Sequence, residues 1–188
     1  LVVVGQGYVG LPLAMRAVDA GFAVVGYDVD EHRVKRLMDG ESYVEDISHE
    51  QLAAAIATGR YTASCETRSC AGFDVAVVTV PTPLREGVPD LSFIEDAARA
   101  LSRCVRPGAT VVLESTTYPG TTEEMVAPLL EEGSGLVAGT DFFVGYSPER
   151  IDPGNPTWTL TNTPKVVSGI NAASLAAVKG FYDRIVER

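Results

Sequence analysis

Three glycines near the start of the chain limit the folds that are open to it. Residues 5–10 read GQGYVG, directly after the apolar residues 1–4 and at the beginning of an amphipathic stretch, residues 9–20. In a strand–turn–helix unit, the first glycine permits a tight turn, the second admits a pyrophosphate, and the third allows close helix–strand packing. The spacing alone is a weak signal, but here it has the strand and helix that the motif needs. The pattern therefore predicts a phosphate site at the helix N-terminus.

An acidic residue follows the second predicted strand, residues 23–27. Asp28 lies 18 residues after Gly10, where a carboxylate bonds the ribose 2′-hydroxyl and repels a 2′-phosphate. This position favours NAD over NADP as the cofactor. Asp30 is the alternative for this role, and Arg33 is near enough to contact the adenosine side, where it would tolerate NADP. FAD is disfavoured because no other feature suggests a flavin.

Apolar runs alternate with helical patterns along the rest of the chain. Strands are predicted at residues 1–4, 23–27, 61–64, 75–80, 110–113, 142–144 and 165–167, and helices at 9–20, 31–38, 48–58, 91–105 and 121–132, with a last helix capped by Asn171. This alternation is typical of parallel βαβ units, and strands apolar on both faces fit a covered sheet. We predict one α/β domain over residues 1–188, a doubly wound, mostly parallel Rossmann-type sheet with helices on both faces. Its ligands should bind beyond the carboxyl ends of the strands.

Two local signals bear on the helix at residues 121–132. Thr121 and Glu124 have the spacing of a capping box at its start. Pro128 lies inside the helical pattern and predicts a kink or an early end there.

Charge and composition exclude several classes of protein. The chain has 15 basic and 25 acidic residues, and this net charge of −10 argues against nucleic-acid binding, which needs a basic face. With 46% apolar residues, the chain can bury a core and is not disordered. No segment approaches the roughly 18 apolar residues of a membrane span, and no signal peptide is predicted. Three cysteines, an odd number, suggest no disulfide framework, so a reduced, cytoplasmic setting is expected.

No metal site is predicted. Cys65 and Cys70 lack the spacing of metal ligands and have no nearby histidine, and Cys104 lies near the buried stripe of a helix. His32 and His49 are isolated in polar helices, where we expect them to be exposed.

Polar residues follow three later strands and are candidates for function. Thr82, in the loop VPTP, can offer a hydroxyl near the cofactor, with an ordinary strand stop as the alternative for this loop. Ser115 and Thr116 can hold a water or a substrate, with helix capping as the alternative for this hydroxyl-rich loop. Glu149 can orient or deprotonate a water and Arg150 can grip an anionic ligand, unless the two form an ordinary surface pair.

These motifs together resemble the N-terminal domain of the UDP-glucose/GDP-mannose 6-dehydrogenase family. The matching segments span nearly the whole chain in the family's order: residues 5–10 (GQGYVG), 27–30 (YDVD), 80–83 (VPTP), 115–120 (STTYPG) and 147–150 (SPER). The UDP-N-acetylglucosamine 6-dehydrogenase branch is most similar, through residues 40–47 (GESYVEDI), 146–155 (YSPERIDPGN) and 164–167 (PKVV). Pro153 stands where UDP-glucose dehydrogenases usually carry a second glutamate, which argues against that substrate.

The resemblance implies an activity and a set of site residues. The C6 alcohol of a nucleotide sugar would be oxidised to a carboxylate with two NAD, through a cysteine thiohemiacetal and a thioester that water hydrolyses. The implied cofactor-binding residues are Gly5, Gly7, Tyr8, Val9, Gly10, Asp28, Arg33, Thr82 and Thr116. The implied catalytic residues are Thr116 and Glu149, which would hold the hydrolytic water. Glu149 and Arg150 would meet the sugar of a UDP-sugar substrate.

The chain also departs from the family pattern. The family's nucleophile lies in a later G-G-x-C-x-x-x-D motif, and none of the three cysteines has that context. The central helix and the C-terminal nucleotide-binding domain of the family are not matched either. We therefore expect an N-terminal fragment of an oligomeric enzyme, which binds NAD without turnover. The alternatives are a UDP-glucose or GDP-mannose enzyme, a non-catalytic NAD-binding regulatory module, and another β-hydroxyacid-type dehydrogenase.

Overall fold

A largely parallel sheet runs through the middle of the molecule. The structure is a computed structural model that describes residues 1–85, 87–150, 157 and 159–186. Its strands are β1 (Val2–Val4), β2 (Val24–Tyr27), β3 (Tyr61–Ser64), β4 (Val75–Val78), β5 (Leu84–Arg85), β6 (Val88–Pro89), β7 (Thr110–Leu113), β8 (Phe143–Tyr146) and β9 (Ser168–Gly169). The main sheet has the order β3–β2–β1–β4–β7–β8–β9, and β5 pairs with β6 in a separate hairpin. Within the main sheet every pair is parallel except β8 with β9.

Helices connect the strands, and three of those described begin at side-chain caps. The described residues form α1 (Gly10–Asp19), α2 (Glu31–Met38), α3 (His49–Ala57), α4 (Ser92–Ser102), α5 (Ala127–Ser134) and α6 (Ala172–Tyr182). Ser48 and Gln51 cap α3 reciprocally. The Asn171 side chain accepts a 2.8 Å hydrogen bond from the backbone N–H of Ser174 at the start of α6, as predicted. Such caps satisfy amide groups that the helix itself leaves unpaired.

Alternate strand residues point to opposite faces of the sheet. Helices cover both faces, so both sets of side chains are buried. Val3, Val77 and Val112 pack in a cluster with residues from α1, α2, α3 and α6. Val4 and Val78 pack on the other side with residues from α4 and α5. The predicted doubly wound α/β fold is therefore confirmed. Among the described residues, no helix combines the length and the apolar character that crossing a membrane requires.

The strand predicted at residues 165–167 is wrong. The last strand is β9, three residues later, and it runs antiparallel to β8. Residues 165 and 166 are held by side-chain contacts instead of by backbone pairing with a strand. The Val166 carbonyl accepts a 2.9 Å hydrogen bond from Ser147 Oγ, and Lys165 Nζ pairs with Glu114. An apolar run does not reveal such distant side-chain partners.

The capping box predicted at Thr121 and Glu124 is also wrong, although the helical segment does begin at this position. Thr121 makes no capping bond to the helix, and its Oγ1 donates to the Tyr118 carbonyl at 2.9 Å. A single π-helical turn, Thr122–Val126, comes first, and α5 continues to Ser134 without ending at Pro128. Pro128 lies where the π-helical turn passes into α5, so the change in hydrogen-bond pattern there coincides with the missing N–H of the proline. The β5–β6 hairpin was not predicted.

Candidate functional site

The carboxyl ends of β1 and β4 meet where the strand order reverses. The chain proceeds outward from β1 to β3, then returns to the other side of β1 to form β4. Thr79, just after β4, donates from Oγ1 to the Val4 carbonyl at 2.8 Å and to the Gly5 carbonyl at 2.9 Å. Gly5 has a φ of 87°, which favours glycine. Ligands of doubly wound sheets bind at such a reversal point.

The second and third glycines of the loop have different surroundings. A Cβ on Gly10 would lie 1.8 Å from the Gly5 carbonyl oxygen and 2.5 Å from Thr79 Oγ1, so only glycine fits. A Cβ on Gly7 would meet no atom within 4 Å. Tyr8 and Val9 lead into α1, and no side chain caps that helix. The loop therefore combines close packing at Gly10 with open space at Gly7, as a bound pyrophosphate requires.

Gln6, a variable position of the glycine pattern, anchors the loop. Its side chain is fully buried. Its Nε2 donates to the Val3 carbonyl at 2.9 Å, and its Oε1 accepts from the Tyr61 hydroxyl at 2.8 Å. The Tyr43 hydroxyl donates to the Gln6 carbonyl at 2.7 Å. Burial raises the pKa of Tyr43 to about 12 and that of Tyr61 further, so both stay protonated donors. Sequence reasoning missed these residues because their contacts lie far apart in the chain.

The structure distinguishes the two acids that follow β2. Asp28 is 5% exposed, and its carboxylate accepts from the backbone N–H of Gln6 at 2.8 Å and of Asp30 at 3.0 Å. Asp30 instead caps α2 by accepting from the backbone N–H groups of His32 and Arg33, and these bonds lower its pKa. Asp28, next to the glycine loop, is therefore better placed than Asp30 to meet a ligand there.

A groove of about 390 Å³ opens beside the glycine loop. It is lined by Gly7, Tyr8, Arg33, Tyr43, Val44, Glu45 and Asp46. The Arg33 guanidinium lies 3.7 Å from the Asp28 carboxylate and 5.9 Å from the centre of the Tyr43 ring. The predicted residues Gly7, Tyr8 and Arg33 thus line one groove, with Asp28 adjacent.

The loops after β4 and β7 are joined at the same edge. Ser115 is buried and donates from Oγ to the Val80 carbonyl at 2.7 Å. This bond gives Ser115 a structural role, in which its hydroxyl joins the two loops. Thr116 is exposed and Thr82 is half-buried, so these two hydroxyls remain available to a ligand. The helix-capping alternative is wrong for Thr121, and the two predicted hydroxyls, Thr82 and Thr116, lie on neighbouring loops.

Glu149 and Arg150 follow β8, the next strand along the edge. Glu149 is half-buried, Arg150 is exposed, and the Arg150 backbone N–H donates to Glu149 Oε1 at 2.6 Å. Ser147 is buried, with its Oγ bonded to Val166. The exposure of Arg150 allows a contact with an external anion. Residues 151–155 of the predicted motif, including Pro153, lie outside the described residues.

A buried acid that sequence reasoning left without a role lies behind this edge. Glu114, the first residue after β7, pairs with Lys165 and accepts a hydrogen bond from the Tyr182 hydroxyl. Burial raises the pKa of Glu114 to about 7, Lys165 opposes this rise, and the nearby Glu149 carboxylate adds to it. The only sequence signal is a charged residue directly after a strand apolar on both faces. Its partners are 51 and 68 positions away.

Comparison with known proteins finds relatives that match nearly the whole of this chain. Protein CapL of Staphylococcus aureus is 40% identical over 187 residues, which cover 99% of this chain and 43% of that protein. UDP-N-acetyl-D-glucosamine 6-dehydrogenase of Pseudomonas aeruginosa is 37% identical over 185 residues, with coverages of 98% and 43%. A structure of UDP-D-ManNAc dehydrogenase from Pyrococcus horikoshii matches with a TM-score of 0.93 and 32% identity, covering all of this chain and 45% of that one.

The chain thus spans less than half the length of these relatives. Residues 1–186 match the description "UDP-glucose/GDP-mannose dehydrogenase family, NAD binding domain". The chain therefore belongs to the UDP-glucose/GDP-mannose dehydrogenase family, as its NAD-binding domain.

Proposed function

We propose that the chain is the NAD-binding part of a nucleotide-sugar 6-dehydrogenase that oxidises the C6 alcohol of a UDP-N-acetylhexosamine to a uronic acid. One observation carries the proposal. The glycine loop and the loops bearing Thr116 and Glu149 all follow the carboxyl ends of parallel strands, so they lie along the same edge of the sheet. A domain that only bound a dinucleotide would need no acid there. Relatives named UDP-N-acetyl-D-glucosamine 6-dehydrogenase and UDP-N-acetyl-D-mannosamine dehydrogenase support this substrate class.

The half of the edge beside the glycine loop is assigned to NAD. The pyrophosphate would lie over Gly7, against the amide groups of Tyr8 and Val9 at the start of α1. Asp28 would bond the ribose hydroxyl, and Arg33 would contact the adenosine side. Thr82 and Thr116 would line the nicotinamide. When bound, NAD supplies the hydride acceptor for each of the two oxidations.

The other half of the edge is assigned to the water-dependent step. Thr116 and Glu149 would hold a water against the carbonyl carbon of a cysteine thioester. The water oxygen would bond to that carbon, the carbon–sulfur bond would break, and the sulfur would leave as a thiolate. Glu149 would accept the proton that the water loses, and the product acid would then ionise to solvent. Arg150 would bind the anionic nucleotide sugar.

The cysteine nucleophile is placed outside these 188 residues. Burial raises the pKa of the Cys70 thiol to about 11 and also raises that of Cys104, which disfavours the reactive thiolate in both. Cys65 follows β3, which is five strand spacings from β8 in the sheet, or roughly 24 Å at about 4.8 Å each. These 188 residues alone should therefore bind NAD without turnover.

The same proposal implies a cellular location, a use for the product and an oligomeric state. All three cysteines are free, which suits a reducing cytoplasm, where nucleotide sugars are made. The uronic acid product would serve polysaccharide biosynthesis. We further propose that the complete enzyme is a homo-oligomer, which light scattering would test.

The test measures NADH absorbance with the chain extended to its natural C-terminus. UDP-N-acetylglucosamine, UDP-N-acetylmannosamine, UDP-glucose and GDP-mannose are offered in parallel. The expected result is two NADH per UDP-N-acetylhexosamine and little from the other two sugars. Turnover of UDP-glucose or GDP-mannose alone would show that the proposed substrate is wrong and that the proposed reaction is right. NAD binding without turnover of any sugar would instead favour the regulatory module.

A further inference from the structure

Three buried side chains that the proposed reaction does not use meet behind the candidate site. Glu114 follows β7, Lys165 lies before β9, and Tyr182 ends α6. Lys165 Nζ pairs with one oxygen of the Glu114 carboxylate, and the Tyr182 hydroxyl donates to the other. The side chains of Glu114 and Lys165 are 0% and 4% exposed, and Tyr182 is 2% exposed. We call these three residues the buried triad.

Stability alone does not explain the buried triad. Removing two charges from water costs several kcal/mol per ion, and replacing a buried ion pair by apolar groups of similar volume is often neutral or stabilising. The triad therefore needs a reason other than the free energy of folding.

The position of each charged member supplies that reason. Glu114 is separated from Thr116 only by Ser115, whose Oγ is fixed on Val80. Lys165 adjoins Val166, whose carbonyl accepts the hydrogen bond from Ser147, two residues before Glu149. The Glu114–Lys165 pair therefore ties the segment that carries Thr116 to the segment that supports Glu149.

Electrostatics show that Glu149 itself lies close to the triad. The Glu149 carboxylate contributes to the raised pKa values of both Glu114 and Tyr182, after burial as the largest cause. The ionisable groups that face Glu114 are Lys165, Tyr182, Glu149 and Tyr146. Lys165 is the only cation among these four, so it offsets the repulsion between the two carboxylates.

We propose that Glu114, Lys165 and Tyr182 are positioning residues for Glu149, holding it in register with Thr116 for hydrolysis of the thioester. This inference rests on the proposed function. The triad would touch neither substrate nor cofactor, and it would act on the water-dependent step alone. Both oxidations would be spared, because Ser115 holds the Thr116 loop through its own bond to Val80 and the glycine loop makes no contact with the triad among those described.

The test compares variants of the full-length enzyme. The Glu114→Gln/Lys165→Met double variant removes both charges while keeping similar volumes, so that no unpaired ion is buried. Tyr182→Phe removes a single hydroxyl and is the milder second variant. Lys179→Met is the matched control, because Lys179 lies on α6 like Tyr182 and forms an exposed ion pair with Asp183, the residue just after that helix.

Rapid kinetics separate the oxidations from hydrolysis. The first-turnover NADH burst and kcat/KM should stay within twofold of the unmodified enzyme in every variant, whereas KM should fall together with kcat as hydrolysis slows. Steady-state kcat should fall at least tenfold in the double variant and about threefold in Tyr182→Phe, with the acyl-enzyme visible by intact mass. Hydrogen exchange at residues 146–149 should accelerate in both variants and not in Lys179→Met. Thermal unfolding and NAD affinity verify that each variant is folded.

Several results would overturn the inference. If Tyr182→Phe or a folded double variant hydrolyses the thioester at the normal rate, the triad does not position Glu149. If the NADH burst slows as much as hydrolysis does, the triad is only structural. If the unmodified enzyme produces no NADH from any nucleotide sugar, the proposed function fails and the inference falls with it.

Discussion

The backbone N–H of Gln6 donates a 2.8 Å hydrogen bond to the carboxylate of Asp28. This bond joins the glycine loop after β1 to the acid after β2, 22 residues later. The two halves of the predicted dinucleotide motif are therefore one physical unit, and a change at Asp28 acts on both.

Asp28→Ala should weaken NAD binding by about 1–3 kcal/mol, because the substitution leaves both a ribose hydroxyl and the Gln6 amide without their acceptor. Titration calorimetry of the purified protein measures this loss. Asp30→Ala is the matched control, since it removes the cap of α2 and should lower stability while leaving NAD affinity within twofold. A larger loss of affinity in Asp30→Ala than in Asp28→Ala would transfer the ribose role to Asp30.

Two alanine substitutions in the glycine loop should separate binding from folding. Gly7→Ala adds a methyl group that meets no protein atom within 4 Å, so the protein should fold normally and bind NAD at least tenfold more weakly. Gly10→Ala forces a methyl group to 1.8 Å from the Gly5 carbonyl oxygen, which should destabilise the fold by about 1–3 kcal/mol or more. Thermal unfolding and NAD titration of both variants provide the comparison. Equal NAD affinity in Gly7→Ala and the unmodified protein would show that the cofactor does not approach this glycine.

Glu149→Gln in the full-length enzyme should slow thioester hydrolysis by about 10²–10⁴-fold, because an amide cannot accept the proton of the water. The first-turnover burst of NADH should persist, and intact mass should reveal an accumulating acyl-enzyme. Arg150→Gln is the comparison at the next position, where we expect a higher KM for the nucleotide sugar without acyl-enzyme. An unaltered hydrolysis rate in Glu149→Gln would return Glu149 to the role of an ordinary surface acid.

Glu114 should make stability depend on pH in an unusual direction. Burial raises its pKa from the ordinary value of 4.5 to about 7 in the folded protein. The folded state therefore binds more protons than the unfolded state between these values, and the contribution of Glu114 to stability falls as pH rises through this window.

Urea unfolding of the unmodified protein and of the Glu114→Gln/Lys165→Met double variant, which leaves no unpaired lysine buried, should reveal this effect. The free energy of unfolding of the unmodified protein should fall relative to the variant from pH 4.5 to 7, by on the order of 1 kcal/mol per pH unit. A difference between the two proteins that stays constant over this range would contradict the prediction.

The fold could be predicted because its signals are local. The apolar runs around Val77 and Val112 face helices on both sides of the sheet, and their uniform apolar character already indicates that burial. The glycine loop was equally predictable, since steric limits at Gly5 and Gly10 act on neighbours along the chain and on one adjacent strand. At residues 165–167 the missed partner is distant, because the Val166 carbonyl bonds to Ser147, 19 positions earlier in the chain. At Thr121 it is local, because the hydroxyl bonds back to the Tyr118 carbonyl instead of forward to the helix.

The chain's residues alone specified strand–helix alternation, the loop that turns at Gly5, and the acid after β2, because backbone sterics and periodic burial are properties of short segments. The meeting of Glu114, Lys165 and Tyr182 depended on the folded sheet, which brings together residues 51 and 68 positions apart. Their effect on one another also arises only in the folded protein. Charges interact weakly in water and strongly in the buried interior of a protein. The pKa of Glu114 is therefore raised only after the core has formed.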